Sequence, residues 1–286
     1  KTPSLFLENL TSLINEKFDQ SSIQVNGIKV NFHKLIIEIR CPSLLKYFLE
    51  SNEGILDITF PGITLLLFYL YTGVLPKESK LQFGFNELIK LSSRFDLKCL
   101  TRLCEQPANE EAQTKSRERF IKDMKKLLKS QSSCDAKFLV ISPNGKTKER
   151  FHLHSLILRA RSNWFASYFT HEWKESKSQE IVIRDLEPET FRVLIEYLYT
   201  DDISQYEPDN LVDLIAFSDQ INLAHLKNIC QIKLQEYLHS DSIFELYQHC
   251  LIHQADQLSQ VCLQFISRKE NFLEIESEIK QKIRIQ

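Results

Sequence analysis

The 286-residue chain holds only six glycines, and that scarcity removes a class of functions before any motif is read. Loops that cradle phosphates or dinucleotides use glycine for positive φ and close backbone approach. Neither a Gly-rich phosphate loop nor a Gly-x-Ser-x-Gly nucleophile elbow occurs, and no His-Glu-x-x-His metal motif is found. Charge of one sign is also lacking: 36 Lys and Arg stand against 38 Asp and Glu, a formal net charge of −2. The bases are interspersed with acids and form no stripe, so the electrostatic footprint of a nucleic-acid binder is missing. Apolar runs stop early. The longest, 63–74, is broken by Thr64 and by Thr72-Gly73 and falls far short of the roughly 20 residues that cross a bilayer. Neither nucleic acid nor membrane is an expected partner. Lys1-Thr2-Pro3-Ser4-Leu5 carries no initiator Met and no basic-then-apolar signal, so we expect a fragment of a longer protein.

A hydrophobic content of 43% with 26% charged residues supplies enough apolar side chain for real cores, and the length suits about two domains of roughly 100–200 residues. Seven cysteines, an odd number at irregular spacing, fall mostly within apolar helical pattern (Cys99, Cys104, Cys230, Cys250, Cys262). That usage fits reduced, buried thiols of a cytoplasmic or nuclear protein, and no structural disulfide is expected.

The chain repeats itself. Phe32-His33-Lys34-Leu35 matches Leu153-His154-Ser155-Leu156; Arg40-Cys41-Pro42-Ser43-Leu44 matches Arg161-Ser162-Asn163-Trp164-Phe165; Tyr69-Leu70-Tyr71-Thr72 matches Tyr197-Leu198-Tyr199-Thr200. Leu97, Leu100 and Cys104 continue the match at Leu223, Leu226 and Cys230. Each copy is led by an amphipathic stretch, with Phe6, Leu10, Leu13 and Ile14 at helical spacing in one and Phe120, Met124, Leu127 and Leu128 in the other. Alternating apolar residues across Asn26-Gly27 predict a two-residue hairpin, and a longer loop around Asn144-Gly145 predicts its counterpart. A strand at 181–183 precedes a helix whose first turn holds Pro188. Helices outnumber strands, and the strands come early in each copy: an α+β arrangement of small sheets flanked by helices. Beyond 241, Phe244, Leu246, Tyr247, Cys250, Leu251, Leu258, Cys262 and Phe265 predict the buried faces of a helical pair over 243–266.

The order from Cys134-Asp135 through Phe151-His152-Leu153-His154 and Arg161-Ser162-Asn163-Trp164-Phe165 to Tyr197-Leu198-Tyr199-Thr200 resembles the BTB/POZ family. The upstream copy carries the same string in weaker form, so the whole resembles two BTB units in tandem: a divergent one at 1–105, a linker at 106–113, a second at 114–240, and at 241–286 a segment resembling the three-box or the start of a BACK domain. Tandem BTB units occur in Rho-related, RCC1-repeat or ankyrin, and Kelch-type BTB proteins; the close spacing resembles the first two.

The copies differ in one interval. His33 and His154 are offset by 121, as are Phe48 and Phe169, but Tyr71 and Tyr199 by 128, so seven residues are extra in the second copy. There lies Trp173-Lys174-Glu175, which is similar to the hydrophobic-x-Glu motif of cullin-3-binding BTB proteins. An exposed aromatic on a loop, with an acid at its rim, suits an interface anchor. The resemblance implies a cullin N-terminal-domain surface of Phe169, His171, Trp173, Glu175, Asp201 and Tyr206, one per chain, because Phe48-Leu49-Glu50 of the first copy aligns with the preceding helix. It also implies a buried charged pocket from Asp135 and Arg161, with Arg40 alone kept in the first copy, where Gln20 falls at the acid's position beside Asp19. BTB–BTB pairing is expected through Phe6, Leu10, Leu13, Phe120, Met124 and Leu127, within one chain or as a homodimer.

No constellation points to catalysis, a cofactor or a metal; His249 and His253, four apart around Cys250, read as surface histidines without a third ligand. His154 reads as structural. The sequence therefore suggests a non-catalytic adaptor of a cullin-3 RING ubiquitin ligase, with its substrate recruited by a domain outside the chain, and alternatively an oligomerisation scaffold that binds no cullin.

Overall fold

The computed structural model describes residues 20–51, 55, 57–76, 84–130, 132–171, 180–203, 207–239 and 242–268, with backbone only at 170 and 171. The fold is α+β, two small sheets among many helices. The first element is the hairpin expected at Asn26-Gly27: β1 (Ser21–Val25) pairs antiparallel with β2 (Ile28–Phe32), Val25 opposite Ile28. Asn26 and Gly27 take φ of 48° and 79°, the left-handed region that a two-residue turn demands. The alternation buries Val25, Val30 and Phe32.

Two short helices follow, α1 (Lys34–Arg40) and α2 (Pro42–Glu50), the second opening on a proline whose missing N–H is no loss at a helix start. The third strand of this copy, unseen in the sequence, is one parallel bridge of Ile55 to Val25, with Ile55 N–H donating to the Gln24 carbonyl at 2.7 Å. Helix α3 (Phe60–Thr72) is buried on nearly every side and ends at Gly73, which is left-handed at φ 72°. Helices α4 (Phe85–Arg94) and α5 (Lys98–Glu105) complete the copy.

Helix α6 (Glu110–Lys129) begins inside the expected linker, because the Asn109 side chain accepts the Ala112 N–H at 3.0 Å and so caps it. Glu110 and Glu111 at its start and Lys126 and Lys129 at its end complement the helix dipole. The second copy repeats the order of the first: β3 (Ala136–Ile141), β4 (Lys148–Leu153), α7 (Ser155–Arg161), α8 (Asn163–His171), β5 (Ile181–Arg184), α9 (Pro188–Thr200), α10 (Pro208–Gln220) and α11 (Ala224–Leu234). Its sheet runs β4-β3-β5, with β5 parallel to β3 and Phe138 opposite Ile181. A 3-10 turn (Gln235–Tyr237) leads to α12 (Ile243–Ile252) and α13 (Asp256–Ser267), which pack on each other.

The chain forms two compact units, one of Lys1–Ala136, His152–Arg161 and Leu198–Asp201, the other of Lys137–Phe151, Ser162–Tyr197 and Asp202–Gln286. Among the fully buried side chains of the first are Ile37, Leu44, Leu66, Leu70 and Met124. The second centres on aromatic contacts: Phe138 lies 5.8 Å from Phe165 and 5.7 Å from Phe191, which Phe151 meets at 5.0 Å. In the terminal helical pair, Ile243, Cys250, Leu258 and Cys262 are buried, whereas Phe244 and Leu251, expected inside, are exposed at 42% and 57%. Both lie on the first helix of the pair, each one residue past its buried positions Ile243 and Cys250 and so about 100° round the helix from that stripe. All seven cysteines are free thiols, with burial pushing Cys230 up to about 12 and Cys104 to about 11. No helix among the described residues is long and apolar enough to cross a membrane.

Candidate protein-interaction site

The repeated motifs carry the same bonds in both copies. His33 N–H donates to the Tyr71 hydroxyl at 2.8 Å while its Nδ1 lies 2.7 Å from the same oxygen; His154 and Tyr199 repeat this at 3.0 and 2.8 Å. The Arg40 Nε donates to the Leu70 carbonyl at 3.1 Å, and the Arg161 Nε to that of Leu198 at 3.0 Å. Leu97 and Leu223 each donate their N–H to a serine carbonyl, Ser92 or Ser218, at 2.8 Å, behind left-handed Asp96 and Asn222. The histidines therefore tie a helix start to the end of the Tyr-Leu-Tyr-Thr helix.

At His154 the Ser132 carbonyl, 3.1 Å from Nε2, can only accept, so Nε2 carries the hydrogen and Nδ1 accepts from Tyr199. Burial holds the imidazole below its ordinary pKa and raises the Tyr199 phenol. Cys134 lies 3.7 Å from Nε2, but a protonated Nε2 cannot take its proton, and burial raises the thiol further. This Cys–His contact is structural. Among the described residues no three His, Cys, Asp or Glu gather to hold a metal ion.

The charged pocket differs from expectation in both its acids. Asp135 does not face Arg161; its carboxylate accepts from the Ser155 backbone N–H at 2.7 Å and from the Ser155 hydroxyl, capping α7. Arg161 pairs with Asp201 at 2.8 Å, the two side chains exposed by 1% and 4%. Arg117 of α6 adds a longer contact to Asp201 at 3.9 Å. In the first copy Arg40 finds its acid 83 residues away, Asp123 of α6, at 2.6 Å, and Arg119 shares that carboxylate at 3.1 Å. No local motif could have announced Asp123, because a helical charged face ordinarily reads as solvated.

The same helix changes the reading of the pairing face. Phe120, Met124 and Leu127 are buried at 2%, 0% and 3%, where α6 packs against α1 and α5. Ser116 donates to the Gly73 carbonyl at 2.7 Å, and Arg40 stacks 4.9 Å over the Phe120 ring. These three are not an open docking face, since the chain's own residues cover them. Phe6, Leu10 and Leu13 lie outside the described residues.

Of the surface expected to meet a cullin, Trp173, Glu175 and Tyr206 also lie outside the described residues, and His171 ends α8. Phe169 is 3% exposed and stacks on Phe165 at 6.4 Å, so it is core and not contact; Asp201 is engaged by arginines. What the sequence reading passed over is an aromatic pair on α8, Trp164 and Tyr168, half-buried and stacked at 5.7 Å one turn apart. Their i, i+4 spacing was the available signal. Phe48-Leu49-Glu50 behaves as core aromatic and surface residues, Phe48 at 4% and Leu49 at 60% exposure.

Comparison with known proteins fits this geometry. Residues 124–238 match the BTB/POZ domain family, and the chain carries a BTB/POZ domain there. Over 145 residues, 49% of this chain, it is 31% identical to the mouse protein "Inhibitor of Bruton tyrosine kinase", of which that stretch is 11%. It is 32% identical over 137 residues to zebrafish "Kelch-like protein 40b", covering 46% of this chain and 22% of the relative. To Arabidopsis thaliana "BTB/POZ and MATH domain-containing protein 3" it is 31% identical over 159 residues, covering 52% and 38%. The chain thus spans well under half the length of these relatives.

Proposed function

We propose that the chain is a non-catalytic adaptor of a cullin-3 RING ubiquitin ligase, and that its BTB/POZ domain binds the cullin N-terminal domain through the segment that follows α8. The carrying observation is the seven-residue excess of the second copy, which falls between α8 and β5 and contains Trp173-Lys174-Glu175. The Trp164–Tyr168 pair on the helix leading into that segment supports the reading, since half-exposed aromatics are characteristic interface anchors. We further read the first copy as a second, divergent BTB unit, on the matched His–Tyr, Arg–carbonyl and Ser–Leu bonds, and 241–286 as a three-box/BACK-like segment, with BTB–BTB pairing satisfied within one chain. The substrate protein is recruited by a domain outside this chain.

The test is a calorimetric titration of the chain against the cullin-3 N-terminal domain. One cullin per chain is expected. Trp173→Ala with Glu175→Lys should abolish binding while the circular dichroism spectrum stays unchanged, because truncating a central aromatic anchor removes upward of about 2 kcal/mol. Unchanged affinity in the double variant, or no binding by the parent chain, would leave the second reading: a BTB scaffold that pairs chains without a cullin.

A further inference from the structure

The terminal helical pair exposes more apolar side chain than its own packing accounts for. Ten large hydrophobic side chains are exposed among the described residues, and four of them, Phe244, Leu251, Ile252 and Leu263, fall on α12 and α13. Phe244 and Leu251 stand seven residues apart with half-buried Tyr247 between them, so the three occupy i, i+3 and i+7 on one face of α12. Ile252, 72% exposed, extends that face at its far end. The face lies about a quarter turn from buried Ile243 and Cys250, so α12 presents two apolar stripes and the described residues cover one. Apolar residues aligned in this way mark a docking surface, unlike single hydrophobics scattered over a surface.

A matching stripe is written in residues 269–286, which lie outside the described residues. Phe272, Ile275, Ile279 and Ile283 recur at helical spacing. Asn271 followed by Glu274 is a helix-start signature, Glu276-Lys280 and Glu278-Lys282 are favourable i, i+4 pairs, and Lys280, Lys282 and Arg284 suit the last turns. A helix of about 12–15 residues is marginal in water by itself, so this stripe needs a surface to bury it. Connection length selects the surface. Three residues, 253–255, join α12 to α13, which pack on each other, so α13 runs back along α12 and ends level with Phe244. Three more, Arg268, Lys269 and Glu270, separate Ser267 at the end of α13 from Asn271, and a helix starting there runs along α12 from Phe244 toward Ile252. At a rise of 1.5 Å per residue, Phe272 to Ile283 spans about 17 Å and Phe244 to Ile252 about 12 Å, so the one stripe is long enough to cover the other.

We propose that the exposed face of α12 is the docking surface for the chain's own residues 272–283, which pack on it as a helix with Phe272, Ile275, Ile279 and Ile283 turned toward Phe244, Tyr247, Leu251 and Ile252. The occupant is intramolecular because a three-residue connection holds the segment beside the face at an effective concentration in the millimolar range, which a second chain at micromolar concentration does not match. Burial of both stripes satisfies two amphipathic elements at once. The consequence for binding is that this face is filled by the chain itself and is closed to other proteins. The inference is independent of the cullin reading, which concerns the segment after α8.

The experiment is methyl NMR of the full chain, labelled at isoleucine and leucine methyls and phenylalanine rings. Nuclear Overhauser contacts are expected from the Ile275, Ile279 and Ile283 methyls to the Phe244 ring and the Leu251 and Ile252 methyls, and they should persist unchanged when labelled chain is diluted into unlabelled chain. Ile279→Asp with Ile283→Asp should abolish these contacts and raise the fluorescence of an added apolar dye, since the α12 face is then uncovered. Absence of the contacts in the parent chain would overturn the proposal, and this measurement stands even if the double variant folds poorly. Contacts that appear only between differently labelled chains would overturn it too, because a second copy would then hold the face, as would a folded double variant whose dye fluorescence matches the parent.

Discussion

At the scale of single residues, buried charge is the most consequential feature of this chain. Arg40 and Asp123 face each other at 2.6 Å with side chains exposed by 2% and 7%, so removing one charge strands the other away from water. Asp123→Asn is expected to destabilise the chain by about 3 kcal/mol, read from urea unfolding, with Lys46→Ala at an exposed ion pair as the near-silent control. His154 makes a second, pH-dependent contribution. Burial lowers its folded pKa below the ordinary 6.5, so the unfolded chain binds more protons in that range and stability rises with pH. The contribution is complete above about 6.5 and is lost as pH falls toward the lower folded value. Unfolding free energies measured between pH 7.5 and 5 should decline on acidification, and His154→Gln should be less stable at pH 7.5 with a shallower decline.

At the scale of elements, α6 is the piece whose place decides the rest. Its polar faces suggest a surface helix, yet Ser116, Phe120, Asp123, Met124 and Leu127 are all buried along one stripe. The junction is tight where α3 ends: Gly73 is left-handed at φ 72°, and a Cβ there would come within 2.7 Å of the Phe120 Cβ. Gly73→Ala therefore combines backbone strain with a clash and should cost about 2 kcal/mol or more, measured as a fall in melting temperature. A wild-type melting temperature in that variant would mean α6 does not pack on the end of α3. Met124, which the sequence pattern places on a BTB–BTB pairing face, is core.

At the scale of the whole molecule, one consequence concerns association. With the pairing face of α6 covered by the chain's own residues, light scattering should report a mass near 33.6 kDa. A value about twice that would show chains pairing with each other, a homodimer in place of intrachain pairing.

Much of this was legible in linear pattern, because local physics writes local pattern. Asn26-Gly27 could hardly be anything but a hairpin turn, the alternation around it marked the strands, and the recurring His, Arg and Tyr-Leu-Tyr-Thr landmarks marked the repeat, although the hydrogen bonds they share appear only in the folded chain. What only the tertiary structure decided lies at long sequence separation. That Arg40 takes its acid from 83 residues downstream, and that Asp135 caps a helix and leaves Arg161 to Asp201, both depend on which elements pack together. A charge on a helix reads as solvated until another element removes its water, and the pairing that compensates it is set by packing geometry, which no spacing of residue types along the chain encodes.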